Sequence, residues 1–290
     1  MPTLIDLRRR IRSVKNTQQI TKAMKTVSTA KFKKAQRFVI EGRPSWHGSP
    51  DFLARISRWA GSNTHPLFAG RTEKRVRVIV FTSDKGLCGA FNSNLLTRAS
   101  DFIWTKAKQT EVRLTLVGKK AVGFFRRTLY PVDAAYAERV ERMSDEDLRS
   151  IAREQIRAFT LQETDAVYIA YNEFKSVLAP RITITKLLPV AAEEGSPGTE
   201  APPPEWEPAE AALLEALVPR YVEDQLLHAY HEAQAAEQAA RMMAMDNASK
   251  NAEDLVAALV LVLNKIRQAG ITKELLEIMT AVEALKSERE

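Results

Sequence analysis

The N-terminal segment has the hydrophobic pattern of one long amphipathic helix. Residues 3–40 contain no Pro or Gly, and apolar side chains recur there mostly at intervals of three and four, which predicts an apolar stripe on one helical face. This stripe consists of Leu4, Leu7, Ile11, Val14, Ile20, Met24, Val27, Ala35 and Phe38. The run GRPSWHGSP at residues 42–50 is expected to kink or end the helix, because Pro and Gly disfavour its continuation. Residues 51–60 are predicted to be helical again.

A second and longer helix is predicted at the C-terminal end. Residues 209–290 contain one Pro, Pro219, and one Gly, Gly270, and a helix of this length exceeds those of ordinary globular domains. Since the middle of the chain connects the two helices, they are expected to pair as an antiparallel coiled coil. The polar residues 16–19 interrupt the N-terminal stripe, as is typical of a loosely wound coiled coil. The alternative is a single surface helix on a large domain.

The end of the second helix needs cover that one partner helix does not supply. After Leu255 this helix becomes apolar on nearly every face, and such a helix must be enclosed on every side. Its tip is therefore expected to lie in a socket made by other chains. The most apolar run, residues 255–263, is about half the length of a membrane span, so no membrane-crossing segment is predicted.

Between the two helices, runs of β-branched residues alternate with helical patterns. Strands are predicted at residues 75–83, 111–118, 165–174 and 181–190, and helices at 92–108, 119–127 and 144–161, the last with Ser144 as its N-cap. Strands separated by helices indicate a parallel or mixed sheet. The predicted domain organisation is a coiled-coil helix at 1–60, an α/β domain at 74–190, an exposed Pro- and Glu-rich loop at 191–208 and a coiled-coil helix at 209–290.

The positive charge of the chain is concentrated in the first helix. Residues 1–40 hold eleven Lys and Arg against the single Asp6, a net charge of +10, whereas the whole chain carries +7. This helix should therefore face an acidic partner: nucleic acid, anionic lipid or an acidic protein surface. The chain has one cysteine, Cys88, which excludes an intramolecular disulfide and favours a cytosolic type of compartment.

No motif predicts a catalytic, cofactor or metal site. The turn TSDKGLCGAFN at residues 82–92 joins a strand to a helix but lacks both GxGxxG and GxxxxGK, so we interpret it as a tight turn with Cys88 as a small hydrophobic residue. Asp84 is predicted to form the turn rather than to act as an acid. Cys88 has no evident histidine partner, and His228 and His231 lack the further ligands that a zinc site requires.

Four segments resemble the gamma subunit of F-type ATP synthases, in the order that the family has them. QQITKAMKTVSTAKFKKAQ at residues 18–36 is similar to the N-terminal hallmark, and TSDKGLCGAFN to the signature turn. RMMAMDNASKNAEDL at 241–255 and NKIRQAGITKELLEI at 264–278 resemble the C-terminal motifs. The chain departs from the family pattern at Ala281 and Val282, where small residues including Gly are usual, and in its longer Pro- and Glu-rich stretch. It lacks the plant-type redox insert with paired cysteines.

The resemblance implies both a fold and a function. The fold class is α/β: a central Rossmann-like α/β domain plus a long antiparallel coiled coil formed by the N- and C-terminal helices. The implied function is the central stalk of a rotary machine, whose rotation couples proton flow to ATP synthesis on the beta subunits. The chain itself would be non-catalytic and without a cofactor. Expected partners are the alpha and beta subunits, the epsilon subunit and the membrane rotor ring of c subunits, at the cytoplasmic face of the bacterial plasma membrane.

The predicted site residues are all partner-binding. The charge pattern predicts that Arg8, Arg9, Arg12, Lys22 and Lys25 form a track facing acidic loops of the surrounding subunits. By resemblance, Arg267, Gln268 and Thr272 match residues that hydrogen-bond the moving catch loops of the beta subunits. Met24 and Glu274, which lie within the matching segments, complete the predicted set.

Two other classes of protein remain open at this point. A nucleic-acid-binding coiled coil would explain the basic helix, but Phe32 and Phe38 are its only aromatic residues before Pro44, which is few for base stacking. An α/β enzyme with helical extensions would need a convergent acid–base set, and none is evident.

Overall fold

A computed structural model describes residues 3–60, 65–177, 180–190 and 210–287 of the chain. It divides into two compact units. The helical unit comprises Met1–Val27 and Met242–Glu290, and the α/β unit comprises Ser28–Arg241. Helix α1 (Leu4–Ala60) and helix α5 (Glu210–Ser287) contribute residues to both units. The predicted loop at 191–208 lies outside the described residues, and the predicted domain boundaries stay a prediction.

The α/β unit is built on a five-stranded sheet in the order β3-β2-β1-β4-β5. The strands are β1 (Arg75–Phe81), β2 (Glu111–Val117), β3 (Val132–Tyr136), β4 (Ala166–Glu173) and β5 (Arg181–Leu188). The first four are parallel and β5 is antiparallel to β4, which confirms the predicted mixed sheet. The intervening helices are α2 (Phe91–Ala107), α3 (Lys119–Phe125) and α4 (Asp145–Thr160), and short 3-10 turns lie at Pro66–Phe68 and Val140–Arg142.

Both faces of the sheet are covered, as parallel strands require. Successive residues of β1 point to opposite sides: Val78 and Val80 belong to one hydrophobic core, and Ile79 and Phe81 to the other. The second core includes residues of α4 and of the first turns of α5. Ser144 caps α4 as predicted, in a reciprocal capping box with Asp147.

Two sequence predictions about the elements of this unit are wrong. Residues 42–50 neither end nor interrupt the helix, because α1 is continuous from Leu4 to Ala60. Its side chains in this stretch are held by α5: Arg43 forms an ion pair with Glu232, and Trp46 stacks on His228 with ring centroids 4.6 Å apart. Strand β3 was missed because it is a short edge strand in which no residue is fully buried, so it carries no buried apolar run.

In the helical unit, α1 and α5 pair as an antiparallel coiled coil, as predicted. Gln18, Thr21 and Lys25 of α1 contact Glu253, Ser249 and Asp246 of α5, so the two numberings run in opposite directions. A hydrophobic cluster lies at one end of the pair. Its members are Leu7, Ile11, Val14, Val256, Leu259, Val260, Leu263 and Ile266.

The prediction of which α1 residues form the buried stripe is partly wrong. Beyond Val14, Ile20 and Val27 are 60% and 56% exposed, whereas Thr21 is 8% exposed. One series of buried and half-buried positions follows alternating intervals of four and three: Leu7, Ile11, Val14, Gln18, Thr21, Lys25, Ser28, Phe32, Ala35 and Val39. Four further half-buried residues flank this series: Leu4, Met24, Thr29 and Gln36. The alternating spacing is required for two helices to stay in contact over many turns. The seam therefore passes through polar residues and leaves apolar residues on the outer face.

Candidate partner-binding surfaces

The crevice at which open α/β sheets usually bind ligands is filled here by the chain's own helices. Such ligands bind at the carboxyl ends of the strands where the strand order reverses, which in this sheet lies between β1 and β4. A hydrophobic cluster occupies this region, and Phe32 packs edge-on against Phe174 at 5.3 Å. Its buried members are Phe32 and Val39 of α1, Ala235, Ala236 and Ala239 of α5, and Cys88, Phe91 and Phe174. The small alanines let α5 approach closely.

The turn after β1 is an attachment point for these helices. Asp84 accepts hydrogen bonds from the backbone N–H groups of Lys119, Glu138 and Val140, each at 2.9 Å. Its carboxylate therefore ties this turn to the segments that follow β2 and β3, and its role in forming the turn itself stays a prediction. Leu87 and Gly89 adopt positive φ angles of 63° and 58°, a conformation that tight turns require.

Helix α5 meets this turn through Arg241, which also forms a buried ion pair within the helix. Arg241 Nη2 lies 2.6 Å from Glu237 Oε1, and the two side chains are 7% and 4% exposed. Arg241 also donates to the Gly86 carbonyl oxygen at 3.4 Å. Burial raises the pKa of Glu237, although the charge of Arg241 opposes that rise. Glu237 was not predicted from the sequence; the available signal was a Glu and an Arg four residues apart within an Ala-rich helix.

Cys88 lies in this cluster as a small buried residue, with 2% of its surface exposed. Asn92 Nδ2 lies 3.1 Å from its Sγ atom. Burial raises the pKa of the Cys88 thiol, and the protonated thiol is a poor nucleophile.

We expect Cys88→Ser to retain the activity of the parent within a few-fold, because the turn is held by Asp84 and Arg241 rather than by thiol chemistry. The matched measurement is reaction of the folded chain with a thiol reagent, which should be slow until the chain is denatured. Loss of activity in a variant that still folds would contradict the assignment of Cys88 as a packing residue.

The predicted basic track divides into free and paired residues. Arg8, Arg9, Arg12 and Lys22 are exposed, and within the described part of the chain none of these four forms an ion pair. Lys25 is half-buried and its Nζ lies 2.6 Å from Asp246 Oδ1. The positive charge of Lys25 therefore forms an ion pair within the coiled coil. Met24, also half-buried, is its neighbour on α1.

The C-terminal turns of α5 are uncovered. The hydrophobic cluster ends at Ile266, and every residue from Arg267 to Ala281 is exposed. The predicted site residues Arg267, Gln268, Thr272 and Glu274 all lie here, and Thr272 Oγ1 donates to the Gln268 carbonyl oxygen of its own helix at 3.0 Å. Large apolar side chains 51–67% exposed accompany them: Ile271, Leu275, Leu276, Ile278 and Met279.

By length and composition, one helix of the described chain is apolar enough to cross a membrane, at Ala212–Ala281. The apolar segment of this helix is therefore longer than the nine-residue run at 255–263 from which the absence of a span was predicted. A single helix of this kind is weak evidence for a span, and the absence of a span stays a prediction. Among the described residues, no group of three or more His, Cys, Asp or Glu is placed to hold a metal ion.

These features define a class of protein: an α/β domain whose ligand crevice anchors two long terminal helices, which then pair as an antiparallel coiled coil. A family model described as ATP synthase matches residues 3–285. The chain is 42% identical over 286 residues to the ATP synthase gamma chain of Pelotomaculum thermopropionicum, covering 99% of this chain and 100% of that protein. It is also 42% identical over 291 residues to that of Chlorobaculum tepidum, with the same coverage. The chain belongs to the ATP synthase gamma chain family, as predicted.

Solved structures confirm the fold. The chain resembles one from the Euglena gracilis mitochondrial ATP synthase, OSCP/F1/c-ring, with a TM-score of 0.66 at 21% identity, covering 99% of this chain and 96% of that one. It also resembles one from the central stalk/c-ring of the Tetrahymena thermophila enzyme, with a TM-score of 0.59 at 22% identity, covering 79% and 99%. Neither the nucleic-acid-binding nor the α/β enzyme interpretation gains support from these relatives.

Proposed function

We propose that this chain is the central-stalk rotor of an F-type ATP synthase, which couples proton flow through the membrane sector to ATP synthesis at the beta subunits. The observation that carries the proposal is the uncovered end of α5 from Arg267 to Ala281, since exposed apolar side chains in this density mark an interface. An enclosing ring of alpha and beta subunits fits it better than a bilayer, because Arg267, Lys273, Glu274 and Glu277 are spread along the same turns and charges are costly in hydrocarbon.

The chain contributes asymmetry rather than catalysis. A rotor shifts the conformation of a neighbouring subunit only if its contacts differ between the two states. The exposed end of α5 carries cationic, anionic and large apolar side chains, so rotation would present different chemistry to each beta subunit in turn. We infer that the epsilon subunit and the c-ring bind the α/β unit, and that the complex lies at the cytoplasmic face of a bacterial plasma membrane.

The test of this proposal is limited proteolysis of the full chain, alone and with alpha and beta subunits. In the isolated chain we expect cleavage beyond Ile266, because that segment has no cover among the described residues, and protection once the ring is added. Cleavage within β1 to β5 serves as the internal control and should be slow in both states. Equal protection of the C-terminal turns with and without the ring would contradict the proposal.

We expect Arg267→Leu to lower ATPase turnover of the reconstituted complex about tenfold, because a partner's polar group left unpaired at an interface costs about 1–3 kcal/mol. The matched control is Lys273→Leu, which removes another exposed cation that is already paired with Glu277 at 3.5 Å. Circular dichroism of both isolated chains should be unchanged. Equal turnover in the two variants would remove Arg267 from the predicted site.

A further inference from the structure

A single buried carboxylate joins three separate elements of the α/β unit. The side chain of Glu232 on α5 is 1% exposed. Its Oε1 atom accepts from Arg43 Nε at 3.3 Å and Nη2 at 3.2 Å, and His228 Nε2 lies 3.3 Å from the same oxygen. Its Oε2 atom accepts from the Phe174 backbone N–H at 2.8 Å. We call Arg43, Phe174, His228 and Glu232 the Glu232 clamp.

The clamp is closed by a second bond that does not involve the carboxylate. Arg43 Nη2 also donates to the Phe174 carbonyl oxygen. The guanidinium of α1 therefore contacts both α5 and the residue that directly follows β4. Aromatic packing surrounds these bonds: Phe174 lies edge-on to Phe32, and His228 stacks on Trp46. Rotation of either helix against the sheet would have to break several of these contacts together.

The carboxylate is held in its charged form. Burial by itself raises the pKa of Glu232, but the hydrogen bonds it accepts and the charge of Arg43 outweigh that effect, and the pKa lies below the ordinary value. Removing one partner of a buried ion pair leaves an uncompensated charge. The clamp is thus sensitive to loss of either Arg43 or Glu232.

A second buried carboxylate on α5 provides a comparison. The side chain of Glu223 is 9% exposed and accepts from Arg149 at 2.8 Å and Arg153 at 2.9 Å. Both arginines belong to α4. Glu223 therefore attaches α5 to the domain in the same chemical manner as Glu232, but among the described side chains none of its hydrogen bonds or ion pairs is to α1.

We propose that the Glu232 clamp locks α1 and α5 to the end of β4, so that torque on the two helices is passed to the α/β unit without slip. Arg43 and Glu232 would thus be positioning residues for rotary coupling. This inference rests on the proposed function, because only a chain that turns under load needs such a lock. It predicts a defect in coupling that a general loss of stability does not produce.

The experiment uses the complete ATP synthase in sealed vesicles, with ATP-driven proton pumping measured at matched ATP hydrolysis. Glu232→Gln and Arg43→Met should each lower the protons pumped per ATP by about threefold or more, and the double variant should be no worse than the poorer single, since the two groups act as one unit. Glu223→Gln is the matched control and should keep the parental ratio. Thermal unfolding of the complexes is measured in parallel.

The outcomes separate the inference from the proposed function. A parental complex that does not pump would contradict the proposed function itself. A coupled parent with unchanged ratios in both clamp variants, or with equal loss in Glu223→Gln, would overturn the clamp alone. If Glu232→Gln does not assemble, Arg43→Met carries the test, because it leaves the carboxylate bonded to Phe174. Failure of both to assemble would make the clamp a folding element and would also overturn the inference.

Discussion

Replacing Arg241 with Met will lower the free energy of unfolding of the chain at pH 8 by about 3–5 kcal/mol, the usual cost of breaking a buried ion pair. The reason is the position of Glu237, which is 4% exposed and 2.6 Å from the guanidinium. Without Arg241 the buried Glu237 carboxylate loses the cation with which it is paired. Denaturant unfolding of the full chain measures the change.

The loss should depend on pH in a defined direction. Burial raises the pKa of Glu237 above its ordinary value even with Arg241 present, and removing that charge raises the pKa further. The folded state of the variant then binds a proton that the unfolded state has released, so stability falls as pH rises through this interval and recovers as pH approaches the ordinary value. Measurements at pH 5 and pH 8 should therefore show the smaller defect at pH 5.

Two controls make this prediction specific. The double variant Glu237→Gln with Arg241→Met removes both charges and should recover much of the loss, since no buried charge remains. Lys250→Met breaks a pair of the same spacing with Asp246, in which Lys250 is 70% exposed, and should change stability by about 0.5 kcal/mol or less. A single variant as stable as the parent at both pH values would contradict the account.

Reversing the charge of Arg8, Arg9, Arg12 and Lys22 to Glu will abolish assembly with the proposed alpha and beta partners while leaving the isolated chain folded. These four side chains are exposed and make no ion pair within the described residues, so changing them should alter stability by only a few tenths of a kcal/mol. Single reversals should be mild, because exposed pairs contribute about 0–1 kcal/mol each. Co-purification of the ring and coupled ATP synthesis measure the effect.

Lys25 is left out of that set because the structure gives it a partner in its own chain. Lys25→Glu would place a carboxylate beside Asp246 and should weaken the coiled coil itself. The control for net charge is the joint reversal of four other exposed cationic residues: Arg98, Lys120, Arg126 and Arg127. If this control impaired assembly as strongly as the α1 reversal, the basic track would have no special role.

The sequence predicted most elements of this protein correctly because their signals are local. The last four residues of β1 and of β2, and all but the last residue of β4, are buried. These strands therefore appear in the sequence as short, mainly apolar runs rich in β-branched and aromatic residues. The start of helix α4 is marked in the sequence by Ser144 and by three acidic residues in the first turn. Order of motifs along the chain was sufficient to identify the family.

The polar parts of the packing were not predictable in the same way. Thr21 and Ser249 share a buried hydrogen bond of 2.7 Å, yet each is a small polar residue that sequence alone assigns to a surface. Glu232 appears equally ordinary within α5. A buried polar group is stable only if a particular partner reaches it, and Thr21 and Ser249 lie 228 residues apart in the chain.

Sequence by itself thus determined the α/β class, the two terminal helices, their antiparallel pairing and the family. Tertiary structure decided which residues form the seam, why α1 continues through Gly42 and Pro44, and how the crevice between β1 and β4 is filled. The physical reason is the range of the interactions. Hydrophobic periodicity and capping act within a few residues, whereas helix register, ion-pair partners and the filling of a crevice depend on groups that only the folded chain brings together.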